Sequence, residues 1–175
     1  MRGTLQPSVA PFINLSSKSI SSLWQNFNDF ADGFGITASE FQEICLPLHE
    51  DLGCSKSAMK QWSADFFVCL DTDKNGLIGK EVDCIQYYTV HYCILKALPL
   101  DGLEMLSTVA ALSGLSFPDI LSFVLKSYDF DGQKKLSIDE VSLALKSLSI
   151  GLCKCYLLPL PDDQSIETLT ATVSL

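Results

Sequence analysis

Apolar residues recur at intervals of three and four positions along most of this chain, and short polar segments separate the periodic stretches. An apolar stripe with that spacing covers one face of an α-helix, so each stretch is predicted to be a helix that packs on a core. The same order repeats along the chain: a helix, a polar loop that ends in glutamate, and a second helix. The sequence therefore predicts an all-α fold made of helix-loop-helix repeats.

The third repeat shows this order most clearly. The apolar face of its entering helix consists of Leu121, Val124, Leu125 and Tyr128. The matching face of its exiting helix consists of Val141, Ala144, Leu145 and Leu148. Between the two helices lies a loop at residues 129–140, with the sequence DFDGQKKLSIDE.

This loop carries oxygen atoms at the positions that calcium requires. Calcium takes about six to eight oxygen ligands, and a 12-residue loop between two helices supplies them from positions 1, 3, 5, 7, 9 and 12. Those positions hold Asp129, Asp131, Gln133, the backbone carbonyl of Lys135, Ser137 and Glu140. The sequence therefore predicts a calcium site in the third loop.

Two further positions of the third loop affect this prediction. Position 6 usually holds glycine in a left-handed turn, and Lys134 stands there at a cost on the order of 1 kcal/mol. Gln133 contributes no charge, so we expect a functional but weakened site. Leu136, at position 8, is predicted to pair in a short strand with a partner loop.

The first repeat keeps the helices and loses the ligands. Its entering face is Ile20, Leu23, Trp24 and Phe27, Ile36 holds the strand position, and Glu40 precedes an exiting face of Phe41, Ile44, Cys45 and Leu48. The loop is one residue too long, and Ala31, Gly33 and Phe34 stand where oxygen donors or a turn glycine would be. This repeat is predicted to pack without binding calcium.

The second repeat begins as a calcium loop and does not continue as one. Its entering helix carries Phe66, Phe67 and Leu70 on one face, with Trp62 beside them. Residues 71–78 then match the first eight loop positions, with ligands from Asp71, Asp73, Asn75 and the backbone carbonyl of Leu77. Val82 stands at position 12, where a carboxylate is expected.

The missing end of the second loop occurs 22 residues late, because residues 101–104 read DGLE. Joining Ile78 to Asp101 fills the remaining ligand positions with Asp101 and Glu104, and it gives an exiting face of Met105, Thr108, Val109 and Leu112. Residues 79–100 are therefore predicted to be an insertion. Translated intron sequence, a lineage-specific insertion and a chance DGLE remain as explanations. The loop halves would still be able to meet, because closing a longer loop adds little entropy cost.

The two ends of the chain complete the predicted organisation. Residues 1–18 contain two prolines and several serines, and they are predicted to be a flexible segment. Residues 19–115 form a pair of repeats, and residues 116–175 form the third repeat and the entering helix of an incomplete fourth. That last helix is predicted to be capped by Asp162 or Asp163 and to have an apolar face of Ile166, Leu169 and Val173.

Composition narrows the classes of function. The net charge of −9 argues against nucleic-acid binding and suits a protein that gathers carboxylates around cations. Seven cysteines without a disulfide or zinc spacing favour free thiols and a cytoplasmic location. The most apolar stretch, residues 84–100, is shorter than a membrane span, so no membrane anchor is expected. Two histidines without a nucleophile, phosphate loop or nucleotide motif around them argue against an enzyme.

The loops at 71–78 and 129–140 resemble those of the EF-hand superfamily, in particular calmodulin, calcineurin-B and neuronal calcium sensors. The resemblance implies EF-hand pairs with short β-bridges between paired loops, and an apolar groove that opens to a target helix when calcium binds. We therefore expect a calcium sensor or regulatory protein. The alternatives are a calcium-independent adaptor or scaffold and a defective or incomplete gene product. An unpaired third hand would also allow a homodimer.

Overall fold

A computed structural model describes residues 4–13, 15–30, 35–71, 77–78 and 101–173 of the chain. Most of these residues are helical, which confirms the predicted all-α class. The elements are a 3-10 helix at Pro7–Phe12, followed by α1 (Ser17–Phe30), β1 (Ile36–Thr37), α2 (Ala38–Cys45), α3 (Leu48–Asp51), α4 (Lys56–Leu70), β2 (Leu77–Ile78), α5 (Asp101–Leu112), α6 (Phe117–Ser127), α7 (Ile138–Cys155) and α8 (Asp163–Val173).

The amino-terminal segment differs from the flexible segment predicted for residues 1–18. It forms a 3-10 helix at Pro7–Phe12, and Val9, Phe12 and Leu15 are buried in the core. The ring of Phe12 stacks on that of Phe66, with 4.7 Å between the ring centroids. Val9 and Phe12 are spaced by three, which is the period of a 3-10 helix, and Leu15 follows at the same interval beyond its end. Pro7 stands at the first helical position, where its missing N–H costs no hydrogen bond, and Pro11 lies inside the helix.

The predicted faces of the first repeat are confirmed. Ile20, Leu23 and Phe27 of α1 are buried, and Trp24 is half-buried beside them. The predicted exiting face is also buried, and it consists of Phe41, Ile44 and Cys45 in α2 and Leu48 in α3.

A capping box fixes the start of α2. The hydroxyl of Thr37 accepts a hydrogen bond from Glu40 N at 3.2 Å, and Glu40 Oε2 accepts one from Thr37 N at 2.7 Å. The hydrogen bond from the Thr37 backbone, together with one from its hydroxyl, lowers the pKa of Glu40. Two amide groups that the helix itself leaves without partners are thereby satisfied.

Two short strands join the first and second repeats. β1 and β2 pair antiparallel, with Ile36 opposite Ile78 and Thr37 opposite Leu77. This is the strand position predicted for Ile36, and it is the eighth position of the loop that begins at Asp71. Leu136, predicted to pair in the same way, lies in no strand of the described chain.

The second repeat has the helices that the sequence predicted. Phe66, Phe67 and Leu70 of α4 are buried. In the helix that begins at Asp101, the residues of the predicted face are buried, namely Met105, Thr108, Val109 and Leu112. Burial extends around the whole helix, because Leu103, Leu106 and Ala110 are buried too. Residues 79–100, the predicted insertion, lie outside the described residues.

Helices of the third repeat are rotated relative to their predicted faces. In α6, Val124 is buried and Leu121 is 41% exposed, and Tyr128 at the end of the helix is fully buried. In α7 the predicted Ala144 is buried, whereas Val141, Leu145 and Leu148 are half-buried. The buried stripe of α7 is Leu143, Ala144, Ser147, Gly151 and Cys155.

The last helix is capped as predicted and packs differently. Ser165 N donates to Asp162 Oδ1 at 2.7 Å, so Asp162 rather than Asp163 provides the cap. Ile166 is buried together with Thr170, but Leu169 is 40% and Val173 57% exposed. The predicted apolar face is therefore only partly covered.

The rotation of α7 follows from its close packing against α5. A Cβ atom added at Gly151 would overlap Oγ1 of Thr108 and lie 3.0 Å from its Cβ. Glycine permits this approach because it has no side chain. Buried residues of α5 and α7 belong to one core with those of α1, α2 and α4, so the predicted boundary at residue 115 does not divide the core.

The hydropathy of the helices bears on whether any of them spans a membrane. Within the ranges that the structure describes, no helix is long and apolar enough to cross a membrane.

A substitution tests the packing of α5 against α7. Gly151→Ala places a methyl group on Thr108, so we expect the free energy of unfolding to fall by about 1–3 kcal/mol. Gly114→Ala is the matched control, because nothing lies within 4 Å of the added methyl group. Urea denaturation of both variants measures the difference. Equal stability of the two variants would contradict the close approach.

The capping box of α2 predicts a pH dependence. Glu40→Ala should lower the free energy of unfolding by about 1 kcal/mol at pH 7. Because folding lowers the pKa of Glu40 from its ordinary 4.5, its contribution is complete above that value and is lost as the pH falls through the folded pKa. The difference from the unmodified chain should therefore shrink below about pH 4.

Glu43→Ala is the control for this pH dependence. Glu43 lies on the same helix, and its Oε1 lies 3.4 Å from Nζ of Lys60 on the surface. An ion pair there contributes little to the free energy of unfolding. Urea denaturation at pH 7 and at pH 3 measures both variants. A Glu40→Ala effect of the same size at both pH values would show that the carboxylate charge is not what caps α2.

Candidate metal centre

The end of α6 and the start of α7 hold the loop at residues 129–140. Tyr128 follows α6, its backbone N donates to Leu125 O at 3.3 Å, and its side chain is fully buried. Its ring contacts that of Phe130 edge-on, with 5.9 Å between the centroids. The buried tyrosine fixes the position of Asp129, the next residue.

Three carboxylates converge in this loop. One oxygen each of Asp129, Asp131 and Glu140 lies within 4.8 Å of the other two. These are the predicted ligands at loop positions 1, 3 and 12. The structure therefore brings together, across a turn, the acidic side chains that the sequence proposed for one ion.

Two left-handed residues produce the turn between these carboxylates. Gly132 has a φ of 69° and Lys134 a φ of 60°. Lys134 N donates to Asp129 Oδ2 at 3.0 Å, and Gln133 N donates to Asp131 Oδ1, also at 3.0 Å. The left-handed conformation expected for Lys134 is confirmed, in a region that a side chain disfavours.

The other oxygen of Asp129 is the strongest indication of a ligand. Oδ1 is buried, and it has no hydrogen-bond partner among the described residues. A buried carboxylate oxygen without a partner costs free energy that a bound cation would recover. Asp129 thus uses Oδ2 for a backbone hydrogen bond and leaves Oδ1 able to bind a cation.

Glu140 is held in place by hydrogen bonds that sequence reasoning missed. Its Oε2 accepts from Ser137 N at 2.7 Å and from Ser137 Oγ at 2.9 Å, and its Oε1 accepts from Phe130 N at 3.2 Å. Glu140 N donates back to Ser137 Oγ at 3.2 Å. The spacing of Ser137 and Glu140 is the sequence pattern of a capping box, so this arrangement was readable in advance.

Three other predicted ligands of the third loop are exposed, as is Asp131 of the cluster. They are Gln133, Lys135 and Ser137. The hydroxyl of Ser137 contacts Glu140. The carboxylates of the cluster come from loop positions 1, 3 and 12.

The second predicted loop is only partly described. Asp73 and Asn75 lie outside the described residues, and Leu77 lies in β2. Asp71 forms the end of α4, where its backbone N donates to Phe67 O at 2.8 Å. Asp101 begins α5.

Glu104, the displaced last ligand of the second loop, contacts an internal cation. Glu104 is 2% exposed, and its Oε1 lies 3.0 Å from Nζ of Lys154. The same ammonium group donates to the carbonyl oxygen of Leu70 at 2.9 Å. The fold therefore brings Glu104 back to the start of the second loop, with the Lys154 ammonium between the carboxylate and that loop.

Sequence reasoning did not anticipate the contact between Glu104 and Lys154. The two residues belong to different repeats, and no local spacing connects them. Pairing of the buried Glu104 with Lys154, whose side chain is 11% exposed, is strongly favoured over either charge alone, because a buried carboxylate without a counter-charge is costly. In the first repeat, Ala31, Gly33 and Phe34 lie outside the described residues, and Glu40 contacts Thr37.

Comparison of the chain with models of known protein families, with curated proteins and with solved structures gave no match. The candidate centre is therefore defined by its own geometry. Of the predicted ligands, Asp129, Asp131 and Glu140 are brought together, and Glu104 is paired with Lys154 instead.

The left-handed turn at Lys134 predicts opposite effects of two neighbouring substitutions. Lys134→Gly removes a strained side chain at φ 60° and should raise the free energy of unfolding by about 0.5 kcal/mol without added metal. Lys135→Gly, which removes the same charge where φ is not positive, should lower it by about 0.5–1 kcal/mol. Urea denaturation measures both. A loss of stability in Lys134→Gly as large as in Lys135→Gly would contradict the left-handed turn.

Proposed function

We propose that this chain is a calcium-binding regulatory protein of the EF-hand type, and that the loop at residues 129–140 holds the ion. The convergence of the Asp129, Asp131 and Glu140 carboxylates within 4.8 Å carries the proposal. The partnerless oxygen of Asp129 and the left-handed turn at Gly132 and Lys134 support it. Calcium is a hard cation that prefers such oxygen ligands.

The residues of this loop would share the ion as follows. Asp129, Asp131 and Glu140 supply the negative charge, and the Gln133 amide, the Lys135 carbonyl and the Ser137 hydroxyl supply neutral oxygens. Lys134 places a cation and a strained backbone at the turn, and Gln133 supplies no charge. We expect a dissociation constant on the order of 10⁻⁵ to 10⁻⁴ M, weaker than that of most sensor sites.

Pairing of the first two repeats supports the same proposal. Ile36 and Ile78 face each other across β1 and β2, at the positions where the resemblance expects the loops of paired hands to bridge. In the second hand, the Lys154 ammonium neutralises Glu104, which would otherwise be the last ligand. We therefore propose one calcium ion for each chain, bound in the third hand.

A cleft between α1 and α6 is the proposed docking position for an apolar side chain of a target helix. Its volume is about 380 Å³, and its apolar walls include Ile20, Trp24, Leu115 and Phe123. Trp24 contacts Phe123 edge-on, with 6.1 Å between ring centroids. Movement of α6 on calcium binding would change this contact, which makes Trp24 a natural reporter. The unpaired thiols of the described chain fit a cytoplasmic setting.

A calcium-independent helical adaptor is the second candidate function. The observation in its favour is that protein groups already contact both terminal glutamates. Three hydrogen bonds hold Glu140, and Lys154 pairs with Glu104. If those contacts stay intact in the working protein, the repeats serve as a scaffold for a partner without any metal.

Substitution of Glu140 tests the calcium proposal. Glu140→Gln removes a charged ligand and should therefore weaken calcium binding at least about tenfold, which corresponds to a loss of about 1.4 kcal/mol. Calorimetric titration of the full chain in a magnesium-containing buffer measures affinity and stoichiometry. We expect about one calcium ion per chain and a change in tryptophan emission on binding.

The matched control is Glu167→Gln, which makes the same chemical change on the exposed surface of α8 and should leave calcium affinity unaltered. Absence of calcium binding to the unmodified chain at millimolar concentration would refute the proposal and favour the adaptor. Equal weakening by both substitutions would show that net charge, and not the loop, determines binding.

A further inference from the structure

Two thiols from distant parts of the sequence meet at the ends of α4 and α7. Cys69 lies in the last turn of α4 and Cys155 is the last residue of α7, and Sγ of Cys69 lies 4.0 Å from the carbonyl oxygen of Lys154, the residue before Cys155. The Cys155 thiol lowers the pKa of Cys69 and the Cys69 thiol raises the pKa of Cys155, which places the two side chains beside each other. Cys69 is 6% exposed and Cys155 is fully buried, and both are free thiols. Thiols in contact within a folded core are held near each other, and that proximity favours reaction between them.

The polypeptide around this thiol pair is firmly fixed. Gln6 N donates to the carbonyl oxygen of Cys155 at 2.8 Å, and Gln6 Nε2 donates to that of Lys154, also at 2.8 Å. The same amide nitrogen lies 3.1 Å from Sγ of Cys69 and donates to it. One side chain from the amino-terminal segment thus joins the carboxyl end of α7 to the sulfur of Cys69.

Cys69 also borders an opening to the surface. A cavity of about 570 Å³ is lined by Cys69 together with Pro7, Val68 and Asp71, and Val68 is 70% exposed. A small oxidant would reach Sγ of Cys69 from this cavity, whereas Cys155 lies behind it. The Gln6 amide donates a hydrogen bond to this sulfur, and the Lys154 ammonium lowers the pKa of the Cys69 thiol, after the larger effect of the Cys155 thiol. Both features favour a nucleophilic thiol.

We propose that Cys69 and Cys155 form an oxidisable dithiol, in which a hydroperoxide converts the two thiols to a disulfide that joins α4 to α7. This modification site is independent of calcium binding.

The proposed chemistry has two balanced steps. Sulfur of Cys69 attacks one oxygen of hydrogen peroxide and breaks the O–O bond, which gives a sulfenic acid on Cys69 and one water molecule, with the thiol proton transferred to the departing oxygen. Sulfur of Cys155 then attacks Sγ of Cys69 and displaces the hydroxyl group, which leaves as a second water molecule with the proton of Cys155. The two thiols lose two electrons, and the peroxide gains them.

Peptide mapping tests the pairing on the full-length chain. The reduced protein is exposed to hydrogen peroxide under native conditions, remaining thiols are alkylated, and trypsin is added. Cleavage after lysine places Cys69 in the peptide 61–74, Cys155 in 155–175 and Cys153 in 147–154, because Lys154 separates the last two cysteines. We expect 61–74 joined to 155–175 as the main cross-linked product.

A denatured sample shows whether the fold directs the reaction. The same pair should form at least about tenfold faster in the native chain than in urea, because only the fold holds the thiols together. Two results would overturn the proposal. One is that Cys69 and Cys155 are still alkylated after other cysteines have been oxidised. The other is that the cross-linked peptides form in similar yields in the native and the denatured sample.

Substitutions separate the two steps. In Cys155→Ser the reaction should stop at the sulfenic acid, so dimedone should label Cys69 more strongly than in the unmodified chain. Cys153→Ser is the matched control, since Cys153 lies on the same helix two residues away, and the cross-linked pair should still form. Loss of the pair in Cys153→Ser, or no gain of dimedone label in Cys155→Ser, would contradict the assignment.

Discussion

The rest of the fold depends on the close approach of α5 to α7 at Gly151. Without a side chain there, Thr108 of α5 lies against the backbone of α7, and the two helices share one packed interface. That interface carries the carboxyl end of α7 to the end of α4. It thereby brings Lys154 to Glu104 and places the sulfur of Cys69 beside the last residues of α7. A single missing methyl group thus determines which parts of different repeats become neighbours.

The glutamates at the ends of the predicted loops differ in the groups that their carboxylates contact. Glu40 and Glu140 accept hydrogen bonds within capping boxes, on the more accessible parts of the molecule. Glu104 is buried and forms an ion pair with the Lys154 ammonium, because a buried carboxylate without a counter-charge would be far more costly. Among the described residues, carboxylates form a cluster in the third loop, where Asp129 and Asp131 lie beside Glu140. The position of acidic residues around each glutamate therefore separates a structural role from a metal-binding one.

Local patterns in the sequence predicted what local interactions determine. The apolar spacing of α1, α2 and α4 indicated their buried faces, and loop spacing indicated that Asp129, Asp131 and Glu140 would meet. The buried stripe of α7 could not be predicted, because it includes small residues such as Ser147 and Gly151. These residues are buried because a neighbouring helix packs on them and not because they are apolar. The order of residues 4–13 likewise depends on distant partners, since Gln6 binds the end of α7. Contacts between repeats leave no period in the sequence.

The length of α7 gives these features a spatial relation. Its 18 residues extend for about 27 Å at 1.5 Å per residue. Glu140 lies in its first turn, and Cys155 is its last residue. The carboxylate cluster and the thiol pair therefore lie about four turns of one continuous helix apart. The same helix supplies a residue to each, and the two groups are too far apart for direct contact.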